Sequence, residues 1–370
     1  MGKDSKNSKF YDGTKLLSLK DIDGKTPEIY MVTTNRTGGK TTYFGRLAVN
    51  RFLKYKEKFC LLYRFNYELD GVADKFFKDI GKLFFRDYYL ASERMASGIF
   101  HVLYLYKLFP NEDGVPQPDP DSKECCGYAI TLNSADQIKK YSHFFSDVQR
   151  IIFDEFQSET DHYCSNEVKK FLSIHTSIAR GQGEQSRYVP VYMLSNPVSI
   201  INPYYVAMGI SSRLSNETKF LRGKGFVLEQ GHIDSATKAQ KNSAFFSAFS
   251  DDKYTAYSTE GIYLNDQVAF IEKMSGRSTY ICTFKYNGQE FGVREFPDVG
   301  IIYCDDKPDE TFKTKISVTT DDHEVNYIML KKNDFFLDGL KYAFRLGRCR
   351  FKNLLSKECF MTAITYSGIM

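Results

Sequence analysis

Thr34-Asn-Arg-Thr-Gly-Gly-Lys-Thr41 constrains this chain more than any other stretch. A phosphate-binding loop reads Gly, four free residues, then Gly-Lys-Ser/Thr: backbone N–H groups wrap the phosphates, the Lys reaches the β- and γ-phosphates and the hydroxyl holds Mg²⁺. Gly38, Gly39, Lys40 and Thr41 satisfy the second half, and Thr34 stands where the first Gly belongs. A β-branched residue does not readily take a positive φ, so residue 34 is expected to keep ordinary backbone angles. The flanks fit a strand–loop–helix unit, because Pro27–Thr33 reads as a short strand and Thr42–Leu53 carries apolar residues at helical spacing. That setting adds the partial positive charge of a helix N-terminus to the loop. An ordinary Gly-rich turn before a surface helix is the competing reading.

A second signal lies at Arg150-Ile-Ile-Phe-Asp-Glu-Phe156, an apolar strand ending in two carboxylates. Nucleotide hydrolysis needs one acid, Asp154, for the Mg²⁺ shell and another, Glu155, to orient and deprotonate water. The acids arrive after about a hundred residues of alternating strand and helix, as a multi-strand parallel sheet demands. Within that stretch Lys58–Arg64 reads as a strand and Val72–Phe85 as a helix, and Ile99–Leu108 and Tyr128–Leu132 flank residues 110–121 as a long hairpin. A further strand, Val189–Ser195, leads to Asn196, a polar residue suited to sensing a γ-phosphate.

With 370 residues the chain is expected to hold two domains of roughly 100–200 residues each. A net charge of +4 is too small for a surface coated for nucleic acid, so DNA contact would come from local patches or several subunits together. The eight cysteines lack zinc or disulfide-scaffold spacing and read as reduced thiols of a cytoplasmic protein. Residues 1–9 are polar and read as a tail rather than a leader peptide. The longest apolar stretch, Val189–Ile210, is interrupted by Pro197 and Pro203, which excludes a continuous membrane helix there.

Beyond Pro203 the pattern loosens. Arg213–Ser258 is polar with little periodicity and reads as a connector or small lid. Four β-type runs follow at Gln267–Lys273, Thr279–Tyr286, Phe291–Glu295 and Gly300–Asp305, then a helical ending over Asp334–Leu355. Lys331, Lys332, Lys341, Arg345, Arg348, Arg350 and Lys352 make that ending basic, suited either to phosphate backbones or to solvent. The expected division is a nucleotide-hydrolysing domain over residues 1–212, a connector over 213–258 and a second α/β domain over 259–370.

Lys40 and Thr41, Asn50-Arg-Phe-Leu-Lys-Tyr55, Ile151–Phe156, and Leu194-Ser-Asn-Pro-Val-Ser-Ile-Ile-Asn-Pro-Tyr-Tyr205 together resemble the DNA-encapsidation ATPases of small tailed bacteriophages, which are similar to large terminase subunits. Phe270–Met274, Tyr286-Asn-Gly288 and Phe291-Gly-Val293 carry the resemblance into the second domain. It implies an ASCE-type P-loop ATPase domain with a mostly parallel sheet, followed by a ribonuclease-H-like domain. It further implies a homo-oligomeric ring, a pentamer in the family, that drives double-stranded DNA through the portal into an empty procapsid in the host cytoplasm, with a structural RNA as a possible further component. The ligands implied are ATP and Mg²⁺, with Asn35, Arg36, Thr37, Gly38, Gly39, Lys40, Thr41, Thr42 and Asn196 around the nucleotide and Thr41 and Asp154 on the metal.

Arg36 matches the family's arginine within the loop, and Arg180, in Ser177-Ile-Ala-Arg-Gly181, matches the arginine supplied to a neighbour's nucleotide. A guanidinium on the γ-phosphate stabilises charge that develops in transfer, whereas a structural ion pair is the plainer role for either. Lys139 and Lys140 lie near another interface lysine of the family. Thr34 departs from the family's usual Gly and bears on how tightly a lone subunit binds ATP. Nuclease activity in the second domain would need clustered acids for two metal ions about 4 Å apart. Tyr286-Asn287-Gly288 lacks the expected acid, and Asp305, Asp306, Asp321 and Asp322 remain, so no nuclease activity is expected. The alternatives are a terminase-type ATPase with an active nuclease and a non-hydrolysing adaptor for procapsid or DNA.

Overall fold

Tyr30–Thr34 is buried along its whole length, as a strand covered on both faces of a parallel sheet must be. The computed structural model describes residues 10–160, 162–181, 183–211, 213–214, 218–250, 252–260, 263–264, 270–329 and 335–365. It forms two compact units, one from residues 1–199 and 215–264, the other from 200–214 and 265–370.

The first unit holds β1 (Ile29–Thr34), β2 (Lys58–Tyr63), β3 (Tyr88–Met95), β4 (Phe100–Pro110), β5 (Pro116–Pro118), β6 (Glu124–Thr131), β7 (Val148–Asp154), β8 (Val191–Ser195), β9 (Phe220–Gly223) and β10 (Phe226–Gly231). Their order is β3-β4-β6-β2-β7-β8-β1-β10-β9, with β5 paired to β4. The run from β6 to β10 is parallel, while β3, β4 and β9 attach antiparallel. One strand, β8, therefore separates the loop-bearing β1 from the acid-bearing β7. Phe44, Ala48, Val49 and Phe52 bring the helix Lys40–Tyr55 onto the sheet, against Tyr30, Val32, Tyr192 and Leu194.

The stretch expected as a connector is structured: β9 and β10 extend the sheet beside β1, and helices follow at Asp234–Lys241, Ala244–Ala248 and Lys253–Glu260. Phe226 pairs with Gly223, so Lys224-Gly225 is a two-residue hairpin loop, and Gly225 supplies its left-handed φ of 72°. β3 went unseen in the sequence because Tyr88–Met95 mixes polar and apolar positions, only Leu90 being buried.

The second unit holds β11 (Thr279–Tyr286), β12 (Gln289–Phe296), β13 (Ile301–Asp305), β14 (Lys315–Ser317), β15 (Ile328–Met329) and β16 (Cys349–Phe351), in the order β15-β14-β11-β12-β13-β16. The first three are antiparallel and β14 and β15 continue parallel from β11, as a ribonuclease-H-like sheet requires. Asn287 and Gly288 turn β11 into β12 with φ of 50° and 72°, the pair of positive angles a type I′ hairpin needs. That explains a turn where an acid would be expected.

The helical ending is broken. A helix spans Phe335–Arg345, Gly347 at φ 70° ends it, β16 pairs parallel with β13, and a second helix covers Leu354–Thr365. Of its basic residues, Lys331 and Lys332 fall outside the described residues, Arg350 pairs with Glu272 at 2.9 Å and Lys352 pairs with Asp306. The run Gln267–Lys273 lies partly outside the described residues; Ile271 makes only an isolated bridge to Phe351.

A candidate nucleotide site at the carboxyl edge of the parallel strands

Thr34 ends β1 in register with Gly231 of β10, and its hydroxyl donates to the Asn35 carbonyl at 3.1 Å. Its φ is not left-handed; the loop's positive φ angles fall on Thr37 at 60° and Gly39 at 91°. A Cβ on Gly231 would lie 3.1 Å from Thr34 Cγ2, so the glycine absent from the loop is mirrored by one on the neighbouring strand. Gly231→Ala is therefore expected to cost about 1–3 kcal/mol of stability through overpacking. Adding Thr34→Ser, which removes Cγ2, is expected to recover most of that loss in a double-mutant cycle of denaturant unfolding.

Lys40 opens the helix Lys40–Tyr55, and its buried Nζ donates to Asn196 Oδ1 at 2.7 Å. Burial pulls the Lys40 ammonium down to about 8, against the opposing pull of Asp154 and Glu155. Burial raises the Asp154 carboxyl, while the Lys40 charge and a hydrogen bond with Thr41 hold it down in part. A hydroxyl and a carboxylate side by side are the donor set a Mg²⁺ ion takes from such a loop. Thr42 is half-buried one residue further along the helix.

Two loop residues are engaged elsewhere. Asn35 is fully buried, its Oδ1 accepting from Ile233 N at 2.9 Å and its Nδ2 donating to Thr237 Oγ1 at 3.2 Å. Any contact of Asn35 with nucleotide is thus left to its main chain. Arg36 pairs with Glu159 and lies over the rings of Tyr254 at 5.5 Å and Tyr257 at 6.0 Å. Thr37 turns its hydroxyl back to the Arg36 carbonyl at 2.7 Å. Gly38 sits against Thr34 and Ile233, with no room for a Cβ.

Glu155 follows β7 at the same edge, with φ at 55° and its N–H donating to Asp154 Oδ1 at 3.0 Å. The residue is exposed, yet the surrounding protein partly desolvates its carboxyl and raises it, and the negative charges of Asp154 and Glu159 raise it further. A non-glycine residue in that region must be held there by its surroundings. Arg64 does so: its Nη1 donates to the Glu155 carbonyl at 3.3 Å and Nη2 to the Phe156 carbonyl at 2.8 Å, while Nε meets the buried Glu167 carboxylate at 3.0 Å. A cleft of about 260 Å³ opens beside these groups, lined by Arg36, Arg64, Glu68, Glu155, Glu159 and Asn196 among others.

Arg180 lies elsewhere. It follows the helix Glu167–Ile178, is exposed, and donates to Ser142 Oγ at 3.1 Å; the next residue, Gly181, packs on Ser146. Ser142 and Ser146 precede β7, and Arg187 bonds to both the Val148 and Ile178 carbonyls, so Arg180 occupies the amino edge of the sheet; Lys139 and Lys140 lie on the short helical segment that leads towards it. The seven residues of β7 separate the two edges by about 23 Å, beyond the reach of an arginine side chain. Among the described residues Arg180 has no carboxylate partner.

Sequence reasoning missed Arg64, Glu159, Glu167 and Tyr257. Only Arg64 left a trace, as a charged residue closing an apolar strand; the others meet their partners across the fold, from 98 residues away for Tyr257 to Glu159 and 103 for Arg64 to Glu167. In the second unit three of the four candidate acids are engaged, and the fourth, Asp321, is exposed. Asp305 pairs with Arg294 at 3.1 Å, Asp306 with Lys352, and Asp322 accepts from the N–H groups of Asn287 and Gly288 at 3.0 and 2.8 Å. Among the described residues no group of three or more such side chains is arranged to hold a metal.

The chain is 29% identical over 350 residues to the DNA packaging protein of Bacillus phage phi29, covering 94% of each chain. It is 28% identical to that of Bacillus phage B103, over 86% of this chain and 91% of the relative. A chain of the bacteriophage phi29 viral genome packaging motor assembly superposes with a TM-score of 0.67 at 26% identity, over 96% of this chain and all of the other. A chain of the Phi-28 gp11 DNA packaging motor shares the fold at 17% identity, with a TM-score of 0.59 over 98% of this chain. The profile of the podovirus DNA encapsidation protein (Gp16) family matches residues 121–365, two-thirds of the chain and both compact units, and the chain belongs to that family.

Proposed function

We propose that this chain is the ATPase of a viral DNA-packaging motor, hydrolysing ATP to drive double-stranded DNA through the portal of a procapsid. The observation that carries the reading is the convergence of Lys40, Thr41, Asp154, Glu155 and Asn196, from three separate strand ends, on one edge of a parallel sheet. Membership of the encapsidation family and the likeness to packaging proteins supply the task.

Lys40 and the loop N–H groups bind the phosphates. Asp154 and Thr41 would hold Mg²⁺, whose charge would offset that of the phosphate oxygens. Glu155 orients a water and takes its proton as oxygen attacks the γ-phosphorus, and the bridging oxygen leaves with ADP. Arg180 cannot serve its own subunit's site from the far edge and is assigned to the neighbour's, which makes a ring of identical subunits the working form. A pentamer at the portal, a packaging RNA and action in the host cytoplasm belong to the same proposal by family likeness. Because Thr34 needs no positive φ, the decayed-loop adaptor loses its main support. The engaged acids of the second unit favour a motor without nuclease activity.

The test is ATP turnover by the purified full chain with Mg²⁺, with and without double-stranded DNA and procapsids. Turnover stimulated by either, with plasmid left intact, is the expected result. No turnover under any condition overturns the ATPase reading, and metal-dependent cutting of plasmid overturns the assignment of the second unit.

A further inference from the structure

Glu159 lies four residues beyond Glu155 and has no part in the hydrolysis described above. Its half-buried carboxylate gathers the Arg36 guanidinium, the Tyr257 hydroxyl at 2.6 Å and, at 3.5 Å, the Asn196 amide. Asn196 in turn accepts from Lys40 at 2.7 Å. An anion thus rests among donors that a terminal phosphate would seek. Burial works against both charges, yet their pairing raises Arg36 and lowers Glu159. Tyr257 belongs to the helix Lys253–Glu260, tied to the loop a second time where Thr237, which also meets Asn35, bonds to the Thr259 carbonyl.

We propose that Glu159 is a positioning residue that holds Arg36 and Asn196 as a resting counter-anion, and that the γ-phosphate displaces it, releasing Tyr257 so that the helix Lys253–Glu260 responds to a triphosphate but not to a diphosphate. The inference rests on the ATPase reading and adds an exchange of anions to it. A phosphate and a carboxylate cannot share the same donors without repulsion, so the carboxylate lowers the fraction of binding-competent sites and weakens apparent triphosphate affinity by that fraction. ADP, which lacks the γ-phosphate, escapes the competition.

Glu159→Gln keeps the shape and an acceptor for Tyr257 but removes the charge. It is expected to tighten binding of a non-hydrolysable ATP analogue about tenfold, while ADP binding measured by calorimetry changes less than about twofold. The chain contains no tryptophan. Tyr254→Trp therefore places a single indole beside Arg36, whose emission is expected to shift with the triphosphate analogue and not with ADP. Analogue binding that is unchanged or weakened in Glu159→Gln overturns the inference, as does an indole that responds equally to both nucleotides or to neither while both bind. Failure of the wild-type chain to bind any nucleotide instead overturns the ATPase reading beneath it.

Discussion

Glu155→Gln is expected to leave ATP bound and to stop its turnover, lowering kcat by about 10²–10⁴-fold, the contribution of a positioned general base. The substitution keeps the length of the side chain and its capacity to hydrogen-bond water, but an amide cannot take the proton. The φ of 55° at residue 155 is imposed by Arg64 through the main chain, and glutamine tolerates it no worse than glutamate. Binding is expected to hold or tighten, because the substitution removes a negative charge from the edge that the anionic phosphates approach. Steady-state turnover alongside equilibrium ATP binding separates the two effects. Turnover within a few-fold of wild type would remove Glu155 from the role of base.

The parts of this architecture that sequence makes legible are those dictated locally. A strand buried on both faces, a Gly-Gly-Lys-Thr turn and an acid pair closing an apolar strand each carry their own signal, and β1, β7, β8 and the Lys40–Tyr55 helix lie within two or three residues of expectation. β10 was hidden because Phe226–Gly231 is short and sits in a polar stretch; its strand character comes from β1 alongside. β16 was hidden for a like reason, its three residues being fixed by β13 and cut from the preceding helix by Gly347. In the candidate site, the residues proposed to touch phosphate or metal follow a spacing rule, whereas those that hold them do not. Arg64 and Glu167 form a buried ion pair whose value depends on each satisfying the other in low dielectric, and no local pattern encodes such a match. Arg36 shows the limit within a motif: its position was legible, but its resting partner Glu159 was not.

The second large effect follows from the placement of Arg180. Arg180→Ala is expected to lower ATP turnover by about 10³-fold or more, as loss of an arginine finger does, and the loss is expected to be repairable by another subunit. An Arg180→Ala subunit retains Glu155, and a Glu155→Gln subunit retains Arg180. If the guanidinium acts across an interface, an Arg180→Ala site beside a Glu155→Gln neighbour is complete, and random mixing in equal parts creates such a pair at about one interface in four of a closed ring. DNA-stimulated turnover is then expected to rise as the two inactive proteins are mixed and to peak near equal proportions. A purely structural role for Arg180, through its bond to Ser142 on the same edge, predicts no rescue at any ratio, since each Arg180→Ala subunit would carry its own defect into the ring. The mixing curve thus tests the placement of Arg180 on the far edge of the sheet by its consequence, that each site borrows its last charge from the next subunit.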